Sequence, residues 1–377
     1  MRLYYSLIII GFLLLSCSQA RHSELPEFFV DINQDILFPL SEITEEITVI
    51  EPELTDESIF YYDPYSLRRM IRTENNIIVA MGGLGVYIPP LVFNKDGKFV
   101  RSVGSRGQGP GEYNMIRNVA FYDRNSRLFI LSNNPKKIIC YHLDGKFLKE
   151  SLLDQNLVCG DIIYNNDELL LDCLYHDGKN KQRIMYHIND NLQVTDSIIC
   201  WENYYERPID VHHFPDYMVK NRTSMYVYPK ELYPKFYAPN VKVLRDTLYR
   251  LEGNQLVPEL KLKFRNDGID RYGDKVIDLY NLYRSSRYIF AKYIYNPDNR
   301  ERNIEFPKSS YFCYDTKTGK GYNMPGGYTD DINGIEERVE IRPLISDSEY
   351  FYYWYTHMSP NDREEPNPTL YIGKLKK

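Results

Sequence analysis

An aromatic residue running into a short polar turn recurs along this chain, and few folds accommodate such a recurrence. Phe93-Asn94-Lys95-Asp96-Gly97 is echoed by Tyr141-His142-Leu143-Asp144-Gly145, 48 residues further on. Weaker copies follow at Tyr186 after 45 residues, Tyr249 after 63 and Phe312 after another 63, and a final strand-like run, Leu370–Leu375, follows with Tyr371 59 beyond that. Asp-Gly between apolar runs is a strong hairpin signal, because the tight turns that match strand twist need positive φ. Two strand-like runs prepare the first turn, Ile77–Met81 and Leu91–Phe93, and Lys98–Val103 leads away from it. A period in the forties holding four short strands is the size of a β-propeller blade, and the longer spacings leave room for loop insertions. Counting the terminal run gives six. No stretch keeps a helical period, so a parallel α/β fold would lack its crossover helices. A β-sandwich would not explain the repeat. The expected fold is all-β: six four-stranded antiparallel blades around an axis. Ile43–Ile50 and Leu370–Leu375, the first and last strand-like runs, are expected to close the ring within one blade, because an open sheet edge invites aggregation.

Between the first two units lies Arg101–Tyr113, RSVGSRGQGPGEY. It reads as the crossing from the outer strand of one blade to the inner strand of the next. Gly107, Gly109, Pro110, Gly111, Glu112 and Tyr113 form its most distinctive part. The stretch is glycine-rich like a phosphate loop, but it lacks the Gly-Lys-Ser/Thr ending and no helix follows to offer its N-terminus. Two readings stand side by side. In one, the glycines permit a tight crossing and Glu112 caps backbone amides; in the other, the loop backbone lines a ligand face.

The N-terminus limits the compartment. Met1–Cys17 is MRLYYSLIIIGFLLLSC, with one arginine, an apolar run and a small residue before the cysteine, which is a secretory pattern. Leu14-Leu15-Ser16-Cys17 resembles the bacterial lipobox, in which the cysteine becomes the lipidated N-terminus. This divides the chain into a signal peptide (1–16), a lipidated Cys17 with its tether (17–30) and a propeller (31–377). The expected location is the cell envelope, held by acyl chains to the outer membrane on its periplasmic side or at the cell surface. Five further cysteines, at 140, 159, 173, 200 and 313, sit mostly in strand-like runs without a CxxC. Buried free thiols are the preferred reading, with one unassigned disulfide as the alternative.

Charge removes one class of partner. With 46 Lys and Arg against 52 Asp and Glu, the chain is acidic, whereas nucleic-acid binding calls for a basic face. Tyrosine is over-used, at 35 residues against 17 phenylalanines. That suits half-buried strands, and equally a surface on which sugars or peptides stack.

Residues 103–148, VGSRGQGPGEYNMIRNVAFYDRNSRLFILSNNPKKIICYHLDGKFL, resemble an NHL-type repeat. More specifically, the chain resembles the six-bladed β-propeller lipoproteins of Bacteroidetes. The resemblance rests on the Gly107–Tyr113 loop, on Asp246-Thr247-Leu248-Tyr249 with Pro258, and on GGYTDDING at 326–334. Ile116 stands where NHL repeats often place proline, and the later repeats are degenerate. The resemblance implies an extracytoplasmic propeller and carries no general activity with it.

Few residues suggest chemistry. His212-His213, with Asp210 and Asp216 nearby, is the one paired-histidine cluster. Neighbours on a strand face opposite ways, so only a loop could turn both toward one metal, and a polar loop is the reading adopted. His142 and His187 occupy matching places in two hairpins and read as repeat echo. Asn221-Arg222-Thr223 matches a glycosylation sequon, uninformative in a bacterial lipoprotein. Nucleophile-elbow, HExxH and EF-hand patterns are missing, and neither metal nor cofactor is expected. Arg117, Asn118, Asp161, Arg338 and Arg342 are expected to begin inner strands around the axial funnel, with Arg284 and Arg287 joining them. Such arginines could clamp an anionic ligand, or could pair with carboxylates of neighbouring blades. The expected function is a monomeric, non-catalytic binding module for an envelope protein or for a glycan or peptide ligand. The alternative is a glycan- or peptide-active hydrolase or lyase, whose paired carboxylates would meet in the funnel.

Overall fold

Every aromatic–turn unit of the sequence lies on the third strand of a four-stranded antiparallel sheet, and six such sheets ring a common axis. The computed structural model describes residues 25–60, 67–82, 87–177, 180–204, 218–221, 224–229, 246–265, 276–295, 309–357 and 366–377. From axis to rim, blade 1 comprises Leu67–Arg72, Asn76–Met81, Leu91–Asn94 and Phe99–Ser102. Blade 2 comprises Met115–Tyr122, Arg127–Asn134, Lys136–His142 and Phe147–Leu152. Blade 3 follows with Leu157–Asn165, Glu168–His176, Asn180–Ile188 and Val194–Tyr204. Blade 4 is built from Met218–Asn221, Ser224–Val227, Thr247–Glu252 and Gln255–Phe264. Blade 5 has Ile277–Arg284, Tyr288–Tyr295, Ser309–Asp315 and Lys320–Pro325. Blade 6 takes Arg342–Pro343, Tyr350–Tyr355 and Thr369–Leu375 from the C-terminal end and Thr44–Ile50 from the N-terminal end. The ring is therefore closed as expected, with Ile47 opposite Gly373 in an antiparallel ladder.

The blades pack face to face, and the middle strands of blades 1 and 2 are buried on both faces. Leu128, Ile130 and Ile139 of blade 2 meet Ile78, Ala80 and Val92 of blade 1. The alternate residues Phe129, Leu131 and Ile138 meet Ile162, Leu169 and Leu171 of blade 3. This explains why runs such as Ile77–Met81 read as continuously apolar, since a strand covered on both sides has no solvent face to alternate toward.

Before closing the ring, the N-terminal segment laces three rims together. Glu27–Val30, read from sequence as part of the tether, is a fifth strand on blade 4, parallel to its outer strand, with Glu27 opposite Lys261. Four residues are too short a run to stand out in the sequence, and the partner strand lies over 200 positions away. The chain then grips blade 5: Ile36 N–H donates to Asn323 O at 3.1 Å, and Asn323 Nδ2 donates to Gln34 O at 2.7 Å. Three blade edges are thereby covered, which protects strands that could otherwise pair with other chains.

The Gly-rich stretch is a crossing, as expected. It runs from the outer strand of blade 1 to the inner strand of blade 2, and Glu112 Oε2 accepts from the Gly109 amide at 2.9 Å. Gly104 adopts φ +88°, and a Cβ there would lie 2.5 Å from the Tyr113 ring. Only glycine fits that position.

One expectation is corrected. The five cysteines are not all free, because Cys159 and Cys173 form a disulfide between the first two strands of blade 3. They are direct cross-strand partners with Cα atoms 3.9 Å apart. Cys140, Cys200 and Cys313 are free thiols.

Crossings and hairpins fall on opposite ends of the ring. Each inner strand starts at the crossing face and turns into the second strand at the hairpin face. In blade 3 that turn is Asn166-Asp167, with φ 47° and 67°, values that Asn and Asp tolerate better than most residues.

Candidate functional site

The inner strands of four blades carry one-residue bulges. In blades 1, 2, 3 and 5 the ladder slips before Arg69, at Arg117, between Cys159 and Asp161, and between Leu279 and Asn281. A bulge re-aims the side chains beside it, and here three of them meet. Arg69 pairs with the carboxylate of Asp161 and donates to Val119 O at 2.9 Å and to Ile162 O. Asn118 Nδ2 donates to Asp161 Oδ1 at 3.0 Å. All three side chains are buried, and the cluster ties blades 1, 2 and 3 together.

A cavity of about 440 Å³ opens on the hairpin side of this layer, within the usual range for small-molecule sites of about 300–1,000 Å³. Five blades contribute to its lining. Arg69 provides floor; Tyr122 and Arg124 come from blade 2, Tyr164 and Asp167 from blade 3, Lys220 from blade 4 and Ser346 from blade 6. The far wall is held across the ring by backbone. Lys220 N–H donates to Ile345 O at 2.8 Å, and Ser348 N–H donates to Lys220 O at 2.8 Å. Ser348 Oγ donates to Arg284 O at 2.6 Å, and the Ser286 amide donates to Glu349 Oε1 at 2.7 Å, so blade 5 braces the same turn.

Tyr122 and Tyr164 stack with centroids 4.0 Å apart and planes 20° apart. The Tyr122 hydroxyl donates to Asp167 Oδ1 at 2.7 Å, and that bond raises the Tyr122 pKa, keeping the hydroxyl a donor. Arg124 reaches both Asp167 oxygens at 3.3 Å, but the two side chains are 75% and 60% exposed. So exposed a pair contributes little and can exchange partners cheaply. Lys220 makes no ion pair among the described residues.

Of the residues singled out in sequence, the structure brings Asn118 and Asp161 together in the axial layer, with Arg117 at the bulge beside them. Arg284 closes its inner strand instead of beginning it, and Arg287 lies in the hairpin that follows. Both are at the hairpin face, whereas Arg338 and Arg342 sit toward the crossing face. Several have carboxylate partners: Arg284 with Glu259 at 2.7 Å, Arg338 with Asp35 at 3.2 Å, and Arg342 near Glu340 at 3.7 Å. Sequence reasoning missed Arg69, Lys220 and the tyrosine pair. The available signal was a charge inside the otherwise strand-like run Leu67-Arg68-Arg69-Met70-Ile71.

Arg287 forks onto Asp315, with contacts of 2.9 and 2.6 Å. The guanidinium bonds, helped by the Lys317 amide, hold the Asp315 carboxyl down at about 2. Because the folded state favours the charged form, this pair stabilises the fold above about pH 4 and loses its contribution as pH falls toward 2. Asp315→Asn is expected to lower stability at pH 7 and to flatten the acid limb of unfolding between pH 4 and 2. Parallel denaturant melts across that window check it, and an unchanged limb would count against the pair.

Burial pushes the Cys140 thiol up to about 11 and that of Cys200 to about 12, which leaves both unreactive at neutral pH. His142 and His187 contact Asp144 and Glu168, each at 2.9 Å, as local hairpin contacts. The His212-His213 cluster, Cys17 and most of the Asn221 sequon lie outside the described residues. Among the described residues no group of three metal-ligating side chains converges.

Solved structures share this architecture. A candidate exported protein of Bacteroides fragilis NCTC 9343 matches with a TM-score of 0.60 and 17% identity, covering 93% of this chain and 99% of that one. A DUF4221 family member from Bacteroides vulgatus ATCC 8482 matches with a TM-score of 0.52 and 8% identity, covering 88% of this chain and 97% of that one. At such identities the likeness concerns the fold. No protein of curated function matches the sequence. Residues 27–376, nearly the whole propeller with its N-terminal lacing, match the domain of unknown function DUF4934, and the chain belongs to that family.

Proposed function

We propose that this protein is a lipid-anchored propeller of the bacterial envelope that binds a ligand without transforming it, and that the ligand seats in the hairpin-face cavity. The cavity itself carries the reading: a concave site built by five blades, with an aromatic wall, a few convergent polar groups and a floor whose charges are already paired. The lipobox-like Leu14–Cys17, the NHL-like loop and the exported neighbour support placing it outside the cytoplasm.

Two experiments test the proposal. Cys17→Ser is expected to move the protein from the membrane to the soluble envelope fraction and to abolish fatty-acid labelling; unchanged partitioning overturns the anchor. For the site, the mature chain is screened on glycan and peptide arrays alongside Ser346→Trp, which fills the cavity from an exposed turn. Binding should disappear in that variant while its melting transition stays put. Arg117→Ala with Arg342→Ala probes the other end of the ring, and loss of binding there, with Ser346→Trp unaffected, would move the seat to the crossing face. Conversion of a bound glycan or peptide to product would favour the hydrolase or lyase alternative.

A further inference from the structure

We infer that the ligand of this cavity is a sugar unit bearing a carboxylate, a uronic-acid class glycan, with its anion paired to Lys220. The inference rests on the cavity being the ligand seat and adds the class of molecule that fits it.

The charges decide it. Three cations line the space: Arg69, Arg124 and Lys220. Arg69 is committed to Asp161 and Arg124 faces Asp167, which leaves Lys220 as the cavity cation without a counter-ion among the described residues. Lys220 is only partly exposed, and its backbone is pinned on both sides by the Ile345–Ser348 turn. A partly desolvated ammonium on a fixed strand is a good receptor for an anion, because little has to be ordered when the pair forms.

The rest of the lining selects the body that carries the anion. Tyr122 and Tyr164, stacked on each other between blades 2 and 3, add apolar ring edges and a phenol hydroxyl to the cavity wall, against which a sugar unit can rest. Asp167, Asn166 and Arg124 stand together at the rim, where a carboxylate, an amide and a guanidinium can each span neighbouring hydroxyls. Because the Arg124–Asp167 pair is exposed and weak, sugar hydroxyls can share it at small cost.

A peptide C-terminus is the other common carboxylate ligand, and such termini are captured by nests of free backbone amides. In the turn beside Lys220, the amides of Leu344, Asp347, Ser348 and Glu349 donate within the protein, which leaves those of Ile345 and Ser346 for a ligand, so the titration includes a peptide as the competing outcome.

The test is calorimetric titration of the mature chain with glucuronic or galacturonic acid, with glucose, and with a hydrophobic tetrapeptide carrying a free C-terminus. Lys220→Met and Ser346→Trp run in parallel, with melting curves as the check on folding. A charge-assisted bond to a partly buried partner corresponds to roughly tenfold or more in affinity. The uronic acids should therefore bind about tenfold or more tightly than glucose, and Lys220→Met should erase that preference. Equal binding of acid and neutral sugar, preference for the tetrapeptide, absence of sugar binding, or a preference that survives Lys220→Met each overturns the class. Binding that persists in Ser346→Trp overturns the seat itself, so the two readings fail separately.

Discussion

Replacing Arg69 by alanine is expected to destabilise the protein by about 3–5 kcal/mol, among the largest effects of any single substitution in this fold. The change leaves the Asp161 carboxylate buried without its cation, and removes a donor from Val119 O and Ile162 O. An unpaired charge in the axial layer is costlier than a lost surface bridge, because water cannot easily reach it. The paired change Arg69→Met with Asp161→Leu should recover a large part of the loss, since deleting both charges together is often close to neutral. Urea unfolding of Arg69→Met, Asp161→Leu and the double, at constant m-value, gives the coupling energy. If Arg69→Ala costs under about 1 kcal/mol, or the double is no better than the singles added, the layer does not hold the blades together.

The fold was legible because propeller blades are local. Each Asp-Gly or Asn-rich turn announces a hairpin within a few residues, and the aromatic before it marks the third strand in blades 1 to 5; in blade 6 no turn follows, because the outer strand comes from the N-terminal end. The site was far less legible, for a reason visible at Cys159. Counting back from the Asn166-Asp167 turn, a regular hairpin would set Cys159 opposite Leu174. A bulge at Gly160 shifts the register by one, and Cys173 becomes its partner instead. Bulges leave no clear mark in a single sequence, yet here they decide which side chains reach the axis. Arg69 and Asp161, 92 positions apart, meet only because two such irregularities and the curvature of the ring coincide. Lys220 is hidden differently. It lies in a strand of four residues, and its value as a receptor depends on the blade 6 turn that crosses to it.

Deleting residues 368–377 should abolish cooperative unfolding altogether, in contrast to the graded loss from Arg69. The segment is the third strand of blade 6 and pairs with Tyr350–Tyr355 on one side and Thr44–Ile50 on the other. Leu370, Tyr371, Ile372 and Leu375 are each at most 3% exposed. At roughly 1.5–3 kcal/mol for each large buried apolar side chain, their removal forfeits about 6–12 kcal/mol. A domain's entire stability is of order 5–15 kcal/mol, so little would remain. The loss also leaves the N-terminal strand without a partner and exposes two sheet edges, which favours association over a softened native state. Thermal melts followed by near-ultraviolet dichroism should show no sigmoidal transition in the truncated chain. Supplying a peptide of residues 366–377 in trans should restore one, because the missing element is a strand with a defined slot in the sheet. A truncated protein that melts as sharply as the full chain would mean that blade 6 closes the ring without its C-terminal strand.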